Sequence, residues 1–237
     1  MTDAVDLVVF DKDGTLFEFE ATWGAWVDAV VRELATPACP AAALAQSVGY
    51  DLASARFESD ALVIAGSGDE VVAVWLAQLG HEHEADVRAV CRRHEQALPL
   101  VPCADIATVL APLRERGAVL AVATNDYVRV AEEHLAAAGV RGLFDHVMGC
   151  DSGFEAKPAA GMLTALCAKA GVAPRRAAMV GDSTRDLQAA RNADYGLAIG
   201  VLTGPASHDE LTPLADRVLG SIAELAPWLH SRSTRSR

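Results

Sequence analysis

The sequence predicts an α/β fold: a doubly wound parallel sheet into which a second, all-helical domain is inserted. Three observations lead there. Four short apolar runs, "VDLVVF" (5–10), "AVLAVAT" (118–124), "AAMVGD" (177–182) and "YGLAIGV" (195–201), read as buried strands. The later runs are separated by helical stretches, and strands alternating with helices imply parallel pairing through right-handed crossovers. Between the first and second runs the pattern changes, because residues 17–102 read as helices only.

Taken in order, the first run is apolar through Phe10 and then meets Asp11, Lys12 and Asp13, with Gly14 and Thr15 behind. Burial favours the strand but gives no reason for it to end on two acids. The insert reads as helices around 22–35, 40–48, 51–58, 69–80 and 83–98. Ser67 or Asp69 suits the cap of the fourth of these, and Trp23 and Trp26, three apart, suit its packing. Pro99 and Pro102, which cannot continue a helix, mark the exit. The expected domains are therefore a core of 1–16 with 103–237 and an insert of 17–102. Beyond the second strand, "YVRVAEEHLAAAG" stops on Gly139 and "AAGMLTALCAKAG" on Gly171. The tail "HSRSTRSR" (230–237) is expected to fray.

Composition narrows the function. The 237 residues are 51% hydrophobic, enough for a sizeable core, and the 5% aromatic content leaves alanine, valine and leucine to fill it. A formal charge of -12 without a basic stripe argues against nucleic acid as a partner. Five scattered cysteines without a CxxC pair suit a reducing compartment and suggest no zinc site. The N-terminus is acidic where a signal peptide is basic, and no apolar stretch is long enough to span a bilayer. A soluble cytoplasmic protein with no membrane partner is expected, and no feature points to an oligomeric state.

The chemistry gathers at strand ends: Asp11 and Asp13 after the first, Thr124 and Asn125 after the second, Lys157 in the loop beyond residue 150, and Asp182 after the third, with Asp186 four residues on. In a doubly wound sheet these ends share one edge, where ligands bind. Packed carboxylates repel one another and need a cation, and hard oxygen donors select magnesium, Mg2+. The Thr124 hydroxyl, the Lys157 ammonium and the backbone N–H groups of the Gly14 turn suit a phosphate. The chain has three lysines, Lys12, Lys157 and Lys169, and two fall in these motifs. Asp11, ending its strand, is placed as a nucleophile able to form an acyl phosphate. Asp13, past the turn, can protonate a leaving alkoxide and then take a proton from water. Each motif alone has a plainer reading. "DxDGT" can be a calcium loop, Thr124-Asn125 a helix cap, Lys157 a surface lysine, and Asp186 a complement to a helix dipole. His81, His83 and His94 lack a fourth ligand at suitable spacing and read as solvated.

Together "DKDGT", "TN" (124–125), Lys157 and "GDSTRD" (181–186) resemble the four motifs of the haloacid dehalogenase superfamily, in order, and specifically of its phosphatases. "GCDSGFEAKPAAG" and "GVLTG" (200–204) look like the phosphoglycolate phosphatase branch. The resemblance implies a Rossmann-like core with a helical C1-type cap of the kind that closes over small substrates. It implies Asp11 as nucleophile and Asp13 as acid and base. Thr124, Asn125 and Lys157 would hold the phosphoryl group. Magnesium would lie on the Asp11 carboxylate, the Asp13 main-chain carbonyl and Asp182, with Asp186 acting through water or orienting Lys157, and Thr15 in support. Two departures stand out: the usual "KPxPD" is "KPAAG", and Asp194 stands where glycine is common, although aspartate tolerates left-handed backbone. The expected activity is magnesium-dependent hydrolysis of a small phosphate monoester, with phosphoglycolate a candidate. A phosphomutase acting on a sugar phosphate and a non-hydrolytic phospho-acceptor module are the alternatives. A carboxylated substrate would want a cation from the insert, where Arg32, Arg56, Arg88, Arg92 and Arg93 are candidates.

Overall fold

The computed structural model describes residues 5–58, 61–96, 98 and 100–235, and it divides into two compact units, Met1–Glu18 with Pro102–Arg237 and Phe19–Val101. The expected exit at Pro99 lies outside the described residues. The first unit opens with β1 (Leu7–Phe10), buried at all four positions. In the second unit a π-helical turn, Glu20–Gly24, runs into α1 (Ala25–Leu34). Then come α2 (Ala41–Gln46), a paired β2 (Tyr50–Asp51) and β3 (Arg56–Phe57), α3 (Leu62–Ala65), α4 (Gly68–Leu79) and α5 (Glu84–Glu95). The first unit resumes with α6 (Ile106–Glu115), β4 (Val119–Ala123), α7 (Val128–Ala137), β5 (His146–Met148) and α8 (Gly161–Ala170). It ends with β6 (Ala177–Gly181), α9 (Thr184–Asn192), β7 (Leu197–Val201), α10 (His208–Leu211), β8 (Arg217–Leu219) and α11 (Leu225–Arg235).

The six long-range strands make one parallel sheet in the order β5-β4-β1-β6-β7-β8. Its four inner strands are the four apolar runs read from the sequence. The two edge strands were not anticipated, because each has three residues and opens on a polar one, the half-buried His146 or the exposed Arg217. A strand covered on both faces must be apolar throughout, whereas an edge strand need not be. The helix stops hold as expected: Gly139 and Gly171 take φ of 71° and 66°, and Asp194 takes 56°.

Two expectations are corrected. The stretch 51–58 is not helical; it is an antiparallel ribbon pairing Tyr50 with Phe57, so the insert is helical but for this ribbon. Asp51 accepts hydrogen bonds from the Ala53 N–H and the Ser54 hydroxyl, each at 2.8 Å, and such a side-chain turn outcompetes a helix start. The C-terminal stretch does not fray at 230, since α11 runs to Arg235. Leu225 and Leu229 are buried, and Arg116 donates to His230 Nδ1 at 2.5 Å, which ties the helix down.

The helical unit has its own core. Trp26 and Trp75 pack with ring centroids 5.6 Å apart, and their indole N–H groups donate to the Cys91 and Leu44 carbonyls. Ser67 caps α4 in a reciprocal pair with Glu70. Three of the five candidate arginines are committed within this unit: Arg32 to Asp28, Arg88 to Asp69 and Glu84, and Arg93 to Glu33. His94 also meets Glu33, at 2.7 Å. No helix among the described residues is long and apolar enough to cross a membrane.

Candidate active site

Register brings the strand ends level. Leu7 to Phe10 pair with Val119 to Val122 on one side and with Ala177 to Val180 on the other. Asp11, Thr124 and Asp182 therefore leave the sheet at one edge. With β4 and β5 on one flank and β6, β7 and β8 on the other, β1 marks the point where strand order reverses, the place where such sheets hold ligands.

Asp11 stays tied to the sheet, its N–H donating to the Val180 carbonyl at 2.8 Å. The chain then turns sharply, with the Leu16 and Phe17 N–H groups both donating to the Lys12 carbonyl. The turn needs Gly14, whose φ is 80°, and a Cβ there would collide with the Asp182 carboxylate. Gly204 faces the same carboxylate from the loop after β7, and a Cβ there would collide with it too. Thr203 fastens that loop by donating to the Gly14 carbonyl at 2.6 Å, and the buried Thr15 hydroxyl donates to Asp182 Oδ1 at 3.1 Å.

Asp186 does two jobs in the first turn of α9. Its Oδ2 accepts from the Ser183 N–H and hydroxyl, completing a reciprocal cap, and its Oδ1 accepts from Lys157 Nζ at 2.5 Å. The same Nζ donates to Asp11 Oδ1 at 2.7 Å. Asn125 holds the segment that carries this lysine: its Oδ1 accepts from the Lys157 N–H at 2.8 Å and its Nδ2 donates to the Lys157 carbonyl at 3.1 Å. The Asn125 side chain, in a residue expected at the phosphate, is thus engaged with the main chain of Lys157. Thr124, buried, accepts the Asp126 N–H on its hydroxyl oxygen at 3.1 Å.

Asp11, Asp182 and Asp186 can each offer a carboxylate oxygen within 4.8 Å of the others. Three acids against one ammonium leave an excess of two negative charges. Burial raises the Asp11 pKa to about 7, against the pull of Lys157 and with the push of Asp186. Burial, then Asp11, raises Asp182 well above the carboxylate range. Burial works against the Lys157 charge, but Asp11 and Asp186 outweigh it and hold the ammonium above its ordinary value. Hard oxygens that would sooner keep protons than stand ionised together are the donor set a divalent cation such as magnesium fits.

Asp13 sends its carboxylate elsewhere. Lys12, fully buried, donates to it at 2.9 Å and 2.7 Å through its two oxygens. Lys12 also meets Asp126 Oδ2 at 3.2 Å and His134 Nδ1 at 3.0 Å. Asp126 and His134 escaped the sequence reading. A signal was present for the second: His134 falls on the buried stripe of α7 with Val130, Ala131 and Leu135.

A parallel sheet with an ammonium clamped between carboxylates at its switch point, and a helical unit inserted after β1, defines an α/β enzyme built round a buried acidic site. The family model for haloacid dehalogenase-like hydrolases matches residues 5–194, and the chain belongs to that family. It is 32% identical over 216 residues to "Probable phosphatase IndB" of Dickeya dadantii, a match covering 90% of this chain and 88% of that protein. It is also 32% identical over 225 residues to the phosphoglycolate phosphatase of Chromobacterium violaceum, covering 93% and 95% of the two chains. The fold is similar to the crystal structure of CbbY from Rhodobacter sphaeroides in complex with phosphate, with a TM-score of 0.74 at 24% identity over 93% of this chain and 96% of that one.

Proposed function

We propose that this hydrolase is a magnesium-dependent phosphatase that cleaves a small phosphate monoester through an aspartyl-phosphate on Asp11. The observation that carries the reading is the Lys157 bridge, with Nζ 2.7 Å from Asp11 and 2.5 Å from Asp186, beside a third buried acid, Asp182. An ammonium at that point neutralises charge on a phosphoryl oxygen and pulls the Asp11 pKa down against the rise that burial causes, which favours the attacking carboxylate. Thr124 adds a hydroxyl, and Asn125 fixes the Lys157 segment. Magnesium would be held by Asp11, Asp182 and Asp186 with the Asp13 main-chain carbonyl, and it would offset charge on the phosphate oxygens. Asp13 would give its proton to the leaving alkoxide as the P–O bond breaks, then take one from the water that attacks the acyl phosphate.

The names of the relatives put phosphoglycolate first in a substrate panel that also holds sugar phosphates and nucleotides. Free phosphate is the readout. The reading expects release with magnesium, loss with EDTA and recovery when magnesium is returned. Absence of release from every ester, or full activity in EDTA, would overturn it.

A further inference from the structure

We infer that Lys12, anchored by Asp126 and His134, is a positioning residue that aims the Asp13 carboxylate; the inference rests on the phosphatase reading, because it gives Asp13 a task. Stability alone does not explain a lysine here. Taking an ammonium out of water costs several kcal/mol even when it is paired, and an apolar side chain of similar volume is often neutral or better at such a place. Lys12 is 0% exposed, so that cost is borne in full.

The pairing has a direction. Lys12 meets both oxygens of its neighbour Asp13, which fixes the plane of that carboxylate. A four-carbon stem is flexible, however, and by itself would carry Asp13 through several rotamers. The other two contacts, Asp126 Oδ2 at 3.2 Å and His134 Nδ1 at 3.0 Å, come from the strand end and helix beyond β4 and pin the ammonium. Asp126 is itself fixed, since its N–H donates to Thr124 and its Oδ1 accepts from the Tyr127 N–H at 2.7 Å.

His134 suits the part because it accepts without adding charge. Burial, and then the Lys12 charge, push its pKa down to about 4, so the ring is neutral at ordinary pH, with Nδ1 as acceptor and the proton on Nε2. Holding a proton donor steady matters, because a misplacement of about 1 Å can cost on the order of a hundredfold in rate.

The test uses leaving groups. An alkyl phosphate expels an alkoxide that must receive a proton from Asp13, whereas 4-nitrophenyl phosphate expels a phenolate that departs without one. With magnesium present, kcat/KM is measured on both esters for the full chain and for the variants Asp126→Asn, His134→Leu and His134→Asn. Asp126→Asn and His134→Leu should lower the alkyl value about 10- to 100-fold and the ratio of alkyl to aryl by about tenfold or more. His134→Asn, which can return an acceptor near Nδ1, should recover most of that ratio. An equal fall on both esters, or an unchanged ratio in Asp126→Asn, overturns the inference while the phosphatase reading stands. Failure of the unsubstituted protein to turn over either ester overturns both. Should His134→Leu not fold, the isosteric Asp126→Asn decides the matter.

Discussion

Two buried ammonium groups flank the end of β1, alike in construction and different in surroundings. Lys157 lies between Asp11 and Asp186, and Lys12 between Asp13 and Asp126. Each lysine joins an acid that follows β1 to an acid contributed by a later segment. Around Lys157 a third carboxylate, Asp182, would leave two negative charges uncompensated were all three acids ionised. Around Lys12 the third partner is a neutral imidazole, and the surplus is one. The first cluster has the charge of a divalent cation to fill. The second has its ammonium held from three sides, by Asp13, Asp126 and His134, and suits holding a group still. On the proposed function, one strand end would carry both a reacting acid beside a cation site and a proton donor with a clamp.

The comparison can be broken most severely at the two acids. Asp11→Asn keeps shape but removes the nucleophile, and should lower kcat by at least about 10⁴-fold in a phosphate-release assay. Asp13→Asn should cost about 10²–10⁴-fold, the usual worth of acid-base catalysis. A milder Asp11 effect than Asp13 effect would reverse the assigned roles.

The lysines sharpen it. Lys157→Met strands two buried carboxylates and Lys12→Met two half-buried ones, and in EDTA the first should lose about 3–5 kcal/mol by urea titration and the second somewhat less. Magnesium should return part of that loss to Lys157→Met and leave Lys12→Met where it was. An equal response from both variants would mean that the metal does not distinguish the clusters.

Smaller effects follow from protonation. Asp11 holds its proton up to about pH 7 in the folded chain but releases it near 3.8 when unfolded. The folded state therefore binds more protons across that window, and metal-free stability falls as pH rises through it. Magnesium competes with those protons, so its increment in Tm should be larger at pH 8 than at pH 5. His134 runs the other way. Its pKa is depressed from 6.5 to about 4, so its contribution is present above about pH 6.5 and lost as pH falls toward 4. His134→Asn should flatten that acid limb in a series of thermal melts, the mildest of these changes.

Much of this was legible in the chain, and the reasons differ by residue. Asp11 and Asp182 were readable because each follows a run whose burial leaves a polar residue unexplained, and Lys157 because it falls in order among the four motifs. The inner strands were readable for the same continuity, whereas β5 and β8 were hidden by His146 and Arg217. The ribbon at Tyr50 and Phe57 was hidden by a turn that Asp51 closes through its own side chain. The grip of Asn125 on Lys157 spans 32 residues and that of His134 on Lys12 spans 122. Such partners are chosen by tertiary packing: the stripe of α7 marks His134 as inward-facing but carries no trace of what it meets.

The central claim is that a phosphoryl group resides on Asp11 during turnover. Asp13→Asn protein, whose water-activating base is gone, can be mixed with magnesium and 4-nitrophenyl phosphate, quenched in acid, digested and weighed by mass spectrometry. The account predicts one nitrophenolate released per protein and a phosphoryl group on the peptide bearing Asp11. Nitrophenolate released with the phosphoryl group on another residue, or with no phosphorylated protein at all, would contradict it.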